Sequence, residues 1–294
     1  MNKRVCRMGI FLFVLGIVFS LNAQGGKIRW KKKIFKGTQS VEIFHATLLV
    51  NLPTTEMLSK GNLEFIVSHR FIPSVGEGID ALFGVDGPAY IQLSLAYAPV
   101  NRVMIALERS NRENHYQLWA KWRLWEQGAV AIPAALALKF GVGVAAESPQ
   151  LSGRPRLHGR NWQYFAFLPF NFRLQKNLMA GIIPAIVYNA YIYSREPEYS
   201  TSIGAMVEYF VSDALGIYGE WNQTIGGFKA TDTKAFAFGV EFETGGHFFK
   251  IFLTNSTRLN GAQYISGVDR QIEGLGDLHI GFTITRLLRL GENW

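Results

Sequence analysis

The sequence predicts an all-β protein: a transmembrane, up-and-down, antiparallel β-barrel of about 12 strands that follows an N-terminal signal peptide. Three observations predict it: segments of alternating apolar and polar residues, connections that alternate between long and short, and aromatic residues near the ends of the apolar faces. Short periplasmic turns, longer extracellular loops and an even strand number are typical of outer-membrane barrels. We therefore expect a protein of the outer membrane of a diderm bacterium, with both termini in the periplasm.

The alternating segments are the candidate strands, and most are near the ~9–11 residues that a tilted strand needs to cross a bilayer. Between Ala235 and Glu243, every second residue is Phe or Val and the others are Ala, Gly or Glu, which indicates one apolar and one polar face. The candidate strands are Asn62 to Phe71, Tyr90 to Ala98, Arg102 to Ser110, His115 to Trp125, Val130 to Val144, Trp162 to Leu174, Leu178 to Tyr188, Thr201 to Val211, Ala214 to Asn222, Ala235 to Glu243, His247 to Thr254 and Asp277 to Arg286.

A soluble β-sandwich could show the same alternation with its apolar face turned inward. The aromatic residues that end the apolar faces favour a membrane barrel instead, because such residues form girdles at the membrane interfaces. They are Tyr97, Tyr116, Trp122, Trp162, Tyr164, Tyr209 and Trp221.

Residues 1–23 have the pattern of a secretory signal peptide. Basic residues between Lys3 and Arg7 precede an apolar run from Met8 to Leu21, and Leu21-Asn22-Ala23 is an acceptable cleavage site. The apolar run is shorter than the ~20 residues of a membrane-spanning helix. The mature chain would then start near Gln24 without Cys6, the single cysteine, which excludes disulfides and cysteine chemistry.

Residues 24–61 are predicted to form a basic tail and a pre-barrel segment, ahead of a barrel domain at residues 62–294. Six basic residues and no acidic one lie between Lys27 and Lys36, whereas the rest of the mature chain is nearly neutral despite the formal charge of +8. This basic stretch could lie on anionic lipid headgroups, dock a periplasmic partner, or be a solvated arm. The export signal argues against nucleic-acid binding.

The segment from Val41 to Gly61 joins the tail to the first strand. Its first half alternates only partially, and the stretch from Pro53 to Gly61 is predicted to form one or two helical turns capped by Thr54 or Thr55. Three arrangements remain open from the sequence: an added strand, a plug in the lumen, or a segment resting beneath the barrel.

Seven short motifs follow one another along the mature chain. They are His45-Ala46-Thr47, Val50-Asn51-Leu52-Pro53-Thr54-Thr55-Glu56, Ser68-His69-Arg70-Phe71, Leu82-Phe83-Gly84-Val85-Asp86, Arg109-Ser110, Leu124-Trp125-Glu126-Gln127 and Leu253-Thr254-Asn255-Ser256. In order and spacing these motifs resemble DUF5777, a family of membrane-bound β-barrel domains without established function, from about Phe44 to Arg286. The resemblance implies the fold and the membrane location, and it implies no activity.

The end of the chain bears on assembly. Outer-membrane barrels commonly finish their last strand at a C-terminal aromatic residue that the barrel assembly machinery reads. This chain ends at Trp294, although the last predicted strand stops near Arg286. The expected partners are therefore this machinery and outer-membrane lipid.

When the apolar faces are assigned to lipid, a balanced set of charges faces the lumen. Basic residues concentrate on the fourth to sixth predicted strands and acidic residues on the eighth to tenth, which predicts two wall sectors of opposite charge. The candidate lumen-facing charges are Glu64, Arg70, Glu108, Lys121, Arg123, Lys139, Arg173, Glu208, Glu220, Glu241, Glu243 and Lys250.

Such sectors suit a channel for small polar or zwitterionic solutes. The alternative is that the charges pair with one another across a nearly closed interior, because unpaired buried charges are costly. Four bulky inward residues favour a narrow or occluded lumen: Trp119, Trp125, Phe165 and Phe167.

The sequence offers little for catalysis. Its six histidines lack metal-ligand spacing, and no nucleophile or nucleotide motif is present, so we expect no catalytic residue, metal or cofactor. The basic loop from Arg154 to Arg160 could bind lipid phosphates or acidic saccharide, or be an ordinary solvated loop. The leading hypothesis is a narrow, porin-like channel; the alternatives are a scaffold barrel that docks a periplasmic partner through Lys27–Lys36 and, third, an outer-membrane enzyme.

Overall fold

The strands of the computed structural model form one closed antiparallel barrel. The structure describes residues 41–128, 131–147, 153–232, 234–244, 247–268 and 272–289. The predicted signal peptide, the basic stretch Lys27–Lys36, Val130 and Trp294 lie outside these residues. The strands are β1 (Asn62–Phe71), β2 (Ala89–Val100), β3 (Val103–Ser110), β4 (His115–Gln127), β5 (Ala134–Ala145), β6 (Trp162–Phe167), β7 (Phe170–Gln175), β8 (Leu178–Tyr188), β9 (Tyr199–Ser212), β10 (Leu215–Gly227), β11 (Ala235–Glu243), β12 (His247–Thr254) and β13 (His279–Arg289).

Strand pairing follows chain order around the barrel, and β13 pairs with β1 to close it. Segments β6 and β7 are two halves of one barrel strand, since both pair with β5 and with β8. They are separated at Leu168 and Pro169, where proline lacks the N–H that a continuous ladder needs. The thirteen segments therefore make a twelve-stranded up-and-down barrel, and this confirms the predicted fold class.

The apolar face of the sheet points outward. Leu107 on β3 lies directly between Leu95 on β2 and Leu118 on β4, and these side chains are 60%, 50% and 56% exposed. A sandwich would bury such a contiguous apolar surface, whereas a membrane barrel presents it to lipid. In the part of the chain that the structure describes, no helix is long and apolar enough to cross a membrane.

One predicted inward residue points the other way. Trp125 was expected to fill the lumen with Trp119, but it is 42% exposed while Trp119 is buried. The pairing of β4 with β5 shifts between Arg123 and Trp125, where a β-bulge inserts one extra residue. Because side chains alternate with a period of two, this insertion moves Trp125 to the outer face.

The interior of the barrel is occupied by two segments that are not strands. One is the segment before β1, in which Ile43, Phe44 and Leu52 are at most 1% exposed. The other follows β12 and carries a short helix, α1 (Gly261–Ile265), all of whose residues are buried. Of the three arrangements open for residues 41–61, the structure has the lumen plug, and we call residues 41–60 the plug.

Candidate functional site in the barrel lumen

The plug is a compact loop held by its own main chain. Leu48 and Pro53 form an isolated bridge, and the Thr54 N–H donates to the Thr47 carbonyl oxygen at 3.1 Å. The Thr54 hydroxyl donates to the Ala46 carbonyl oxygen at 2.6 Å rather than capping a helix. The same hydroxyl accepts the Glu56 N–H at 3.2 Å, but no residue from Pro53 to Gly61 is helical, so the predicted helical turns after Pro53 are wrong.

Glu220 on β10 is the main acidic contact of the plug. Its carboxylate accepts hydrogen bonds from the main-chain N–H groups of Val50, Asn51 and Leu52 at 3.0, 3.0 and 3.2 Å. It also accepts a bond from Asn51 Nδ2 at 2.9 Å. The charge of this buried carboxylate is thus satisfied by several donors of one short loop.

Two basic residues of β4 hold the plug from another part of the wall. Lys121 Nζ donates to the carbonyl oxygens of Thr47 and Thr54 at 3.2 and 3.3 Å. Arg123 donates twice to the Thr55 carbonyl oxygen, at 2.6 and 3.0 Å. The basic side of the lumen therefore binds carbonyl groups of the plug, while Glu220 binds its N–H groups.

Glu56 brings a carboxylate of the plug to this basic side. It lies 3.2 Å from Arg123 Nη2 and accepts the main-chain N–H of Ile43 at 2.9 Å. Burial raises the pKa of the Glu56 carboxyl, and the Arg123 charge and the hydrogen bond from Ile43 oppose this shift.

The acidic sector also contains charged pairs. Lys250 Nζ on β12 lies 2.9 Å from Glu241 Oε2 on β11, and the same ammonium donates to the carbonyl oxygens of Leu48 and Leu49 at 2.6 and 2.8 Å. Lys250 therefore neutralises the charge of Glu241 and binds the plug at the same time.

Next to this pair, a plug histidine contacts the acidic wall. His45 Nδ1 lies 3.0 Å from Glu243 Oε2 and 3.9 Å from Glu241 Oε1, and its ring stacks on Phe210 with centroids 3.9 Å apart. No local pattern predicts a role for this histidine, because its partner carboxylates are almost two hundred positions away in the chain.

Three other predicted lumen charges also contact the plug. Arg70 on β1 is fully buried, donates to Asn51 Oδ1 at 3.3 Å and lies over the Phe252 ring. Glu64, also on β1, accepts the Thr47 hydroxyl at 2.7 Å. Arg173 on β7 is half-buried and donates to the Glu42 carbonyl oxygen.

The remaining predicted charges contact the wall itself. Glu108 on β3 accepts bonds from Gln92 Nε2 at 2.7 Å and from Trp119 Nε1 at 2.6 Å. Lys139 Nζ on β5 lies 4.1 Å from the centroid of the Trp119 ring. Glu208 on β9 is buried. The described contacts of Glu108 and Lys139 are thus with the barrel wall rather than with the plug.

The segment that carries α1 lies in the lumen beside the plug. The Tyr264 hydroxyl donates to Glu220 Oε1 at 3.2 Å, so the same carboxylate contacts both inserted segments. Burial and the Glu220 charge raise the pKa of the Tyr264 phenol well above its ordinary value. A Cβ at Gly261 would lie 2.6 Å from the Phe167 ring, which shows how closely α1 packs on the wall.

Sequence reasoning missed Asn51, Glu56 and Tyr264. The stretch from Leu259 to Val268 contains no charged residue, which is unusual for an exposed loop and was the available signal that it is buried. For Asn51 and Glu56 the available signal was their place between short apolar runs that lack strand alternation.

The basic loop is partly paired. Arg160 Nη2 lies 3.2 Å from Glu196 Oε2, and Arg154 donates to the Ile192 carbonyl oxygen, so both contact the connection between β8 and β9. Among the described side chains, no group of three His, Cys, Asp or Glu could hold a metal ion.

A closed β-barrel with an apolar exterior and a charged interior defines a membrane-bound barrel protein. The family model for the membrane bound beta barrel domain (DUF5777) matches residues 44–288, and the chain belongs to this family. No curated protein matches the chain.

Several solved structures share the fold at low identity. An outer membrane channel from Pseudomonas putida F1 is 10% identical with a TM-score of 0.50, over 82% of this chain and 100% of that chain. NanC porin is 10% identical with a TM-score of 0.46, over 78% and 99%. KdgM porin is 8% identical with a TM-score of 0.42, over 76% and 98%. The protein is thus similar in fold to an outer membrane channel.

Proposed function

We propose that the protein is an outer-membrane, porin-like channel for small polar solutes and that this structure is its closed state. The twelve-stranded barrel and the charged lumen support the proposal, as charged walls are typical of channels that pass polar solutes. In the orientation that we propose for the membrane, the termini and the short turns face the periplasm, and the loop from Ala145 to Asn161 faces the exterior of the cell.

The observation that carries the proposal is how the plug is attached. Its bonds to the barrel run from wall side chains such as Glu220, Lys121 and Lys250 to its main chain and to some of its side chains, and it adds no strand to the sheet. Each such bond contributes about 0.5–3 kcal/mol net, because it replaces a bond to water. Release of the plug would therefore break no strand pair of the barrel.

A reversible crosslink between the plug and the wall tests this proposal. A Cβ at Gly204 would lie 2.8 Å from Leu52 Cδ1, so the pair Leu52→Cys and Gly204→Cys places two thiols within reach of a disulfide. Since the only native cysteine is Cys6, in the predicted signal peptide, no other thiol of the mature chain would compete.

In planar bilayers we expect the oxidised double variant to show no conductance above background. Reduction should restore the openings seen with the unmodified protein, and the two single-cysteine variants should not respond to reduction. If neither the unmodified nor the reduced protein conducts, the channel proposal is wrong. Co-purification of a periplasmic partner that depends on Lys27–Lys36 would then favour the scaffold hypothesis.

A further inference from the structure

The wall of the lumen recognises the plug through its peptide main chain. Glu220 accepts three consecutive N–H groups, from Val50 to Leu52. Lys250 binds the two carbonyl oxygens immediately before them, those of Leu48 and Leu49. Two wall side chains therefore bind the main chain of five successive residues, and the only plug side chain among these contacts is that of Asn51, which also donates to Glu220.

The opposite part of the wall repeats the arrangement with a second stretch. The Thr55 N–H donates to Asn171 Oδ1 at 2.6 Å, and the Thr55 carbonyl oxygen accepts from Arg123. Lys121 adds the carbonyl oxygen of Thr54. The wall thus offers acceptors to main-chain N–H groups and donors to main-chain carbonyl groups. A ligand with hydroxyl groups, each of which can both donate and accept, would not require this pairing.

Apolar surface completes this site between the polar contacts. Leu49 and Leu52 are fully buried, and Leu52 packs closely on Gly204 and beside Ile183, so the wall also accommodates aliphatic side chains. Main-chain hydrogen bonds supply affinity and pockets for side chains supply selectivity in protein sites that bind extended peptides.

We infer that the lumen is a peptide-binding site, that the plug occupies it as an internal ligand, and that the solutes of the channel are short peptides. The inference rests on the proposed function for transport, whereas the binding site itself stands on the contacts above. When the plug leaves, Glu220, Lys250, Lys121 and Arg123 lose their hydrogen bonds to its main chain, and a peptide entering the lumen replaces these bonds. Leaving such groups unpaired is costly wherever water is excluded.

The test uses the full-length chain with Leu49→Ser and Leu52→Ser, which weakens the plug and leaves the wall unchanged. The probe is a synthetic peptide with the sequence of residues 48–56. Its matched control is the same peptide with ester oxygens in place of the N–H groups at positions 50, 51 and 52. Binding is measured by fluorescence anisotropy in detergent and block of the ionic current in planar bilayers.

We expect the peptide to bind and to block the current, and the ester analogue to bind about tenfold more weakly or worse, because it lacks three donors to a charged acceptor. In the Glu220→Gln background the difference between peptide and ester should shrink. If the double serine variant does not assemble, Asn51→Ala weakens the plug by removing its side-chain bond to Glu220 and serves in the same assay.

Two results would overturn the inference while the channel proposal stands: equal binding of peptide and ester, or equal block of a conducting protein by a neutral oligosaccharide of similar mass. The converse result is distinct. A protein that binds the peptide in preference to the ester but never conducts would retain the peptide site and refute the channel.

Discussion

The main-chain N–H of Asn51 donates to the carboxylate of Glu220 at 3.0 Å, across 169 positions of the chain. The Tyr264 hydroxyl reaches the same carboxylate, so one residue of the barrel wall contacts both segments that fill the lumen. Glu220 is therefore a suitable position at which to test the proposed closed state with a single substitution.

We predict that Glu220→Gln raises the open probability in planar bilayers by about tenfold or more. The amide has one acceptor oxygen where the carboxylate has two, and hydrogen bonds to a charged group are worth roughly 1.5–3 kcal/mol, against 1.4 kcal/mol for a tenfold change. The control is Glu108→Gln, since Glu108 bonds to Gln92 and Trp119 of the wall. Equal effects of the two substitutions would show that loss of any lumen charge opens the channel.

Plug docking should depend on pH through Glu56. Its pKa is raised by burial in the docked plug, so the docked state binds this proton more tightly than a released, hydrated plug does. The docked state is therefore favoured at pH values below the ordinary carboxyl pKa, and this preference is lost as the pH rises through the raised pKa.

We expect the open probability to increase with pH over this window and Glu56→Gln to flatten the dependence, because the amide does not titrate. The measurement is single-channel recording from acidic to neutral pH for both proteins. Other groups also titrate, so the relevant quantity is the difference between the two curves. Superimposable curves would remove Glu56 from the mechanism.

Replacing Glu241 and Glu243 with Gln should shift ion selectivity toward anions. Lys250 would lose its 2.9 Å partner, which leaves an uncompensated positive charge at the lumen wall. The readout is the reversal potential in a salt gradient, recorded on conducting channels. Glu77→Gln, at an exposed position outside the strands, should leave the reversal potential unchanged. A reversal potential that does not move in the double variant would reject a role for the charged wall in selectivity.

Leu107→Arg should destabilise the protein in lipid by about 2–4 kcal/mol if Leu107 lies near the middle of the bilayer, as its place among Leu95 and Leu118 indicates. Leu82→Arg is the matched control, since Leu82 is similarly exposed but lies in the loop between β1 and β2. Denaturant titration of both variants in vesicles gives the comparison. An unfolding free energy that is equally unaffected in both would mean that Leu107 faces water.

Much of the barrel could be predicted because the residue pattern that defines each strand lies within a short stretch of sequence. Alternation within each strand gives the two faces, and the twelve predicted strands agree with the observed segments to within a few residues at most ends. Trp125 shows the limit of this reasoning, because a bulge next to Arg123 breaks the alternation and nothing in the local pattern marks it.

The sequence by itself determined the strand order and the lipid-facing side and predicted which charged residues point inward, since a period of two and short turns define these properties over neighbouring residues. Only the tertiary structure decided what those charges contact. Glu220 and Lys250 bind main-chain groups of a loop about 170 to 200 positions away, as in the bonds of Val50 and Leu49. Nearly every residue carries the same main-chain N–H and carbonyl groups, so no side-chain pattern could predict that this loop fills the lumen.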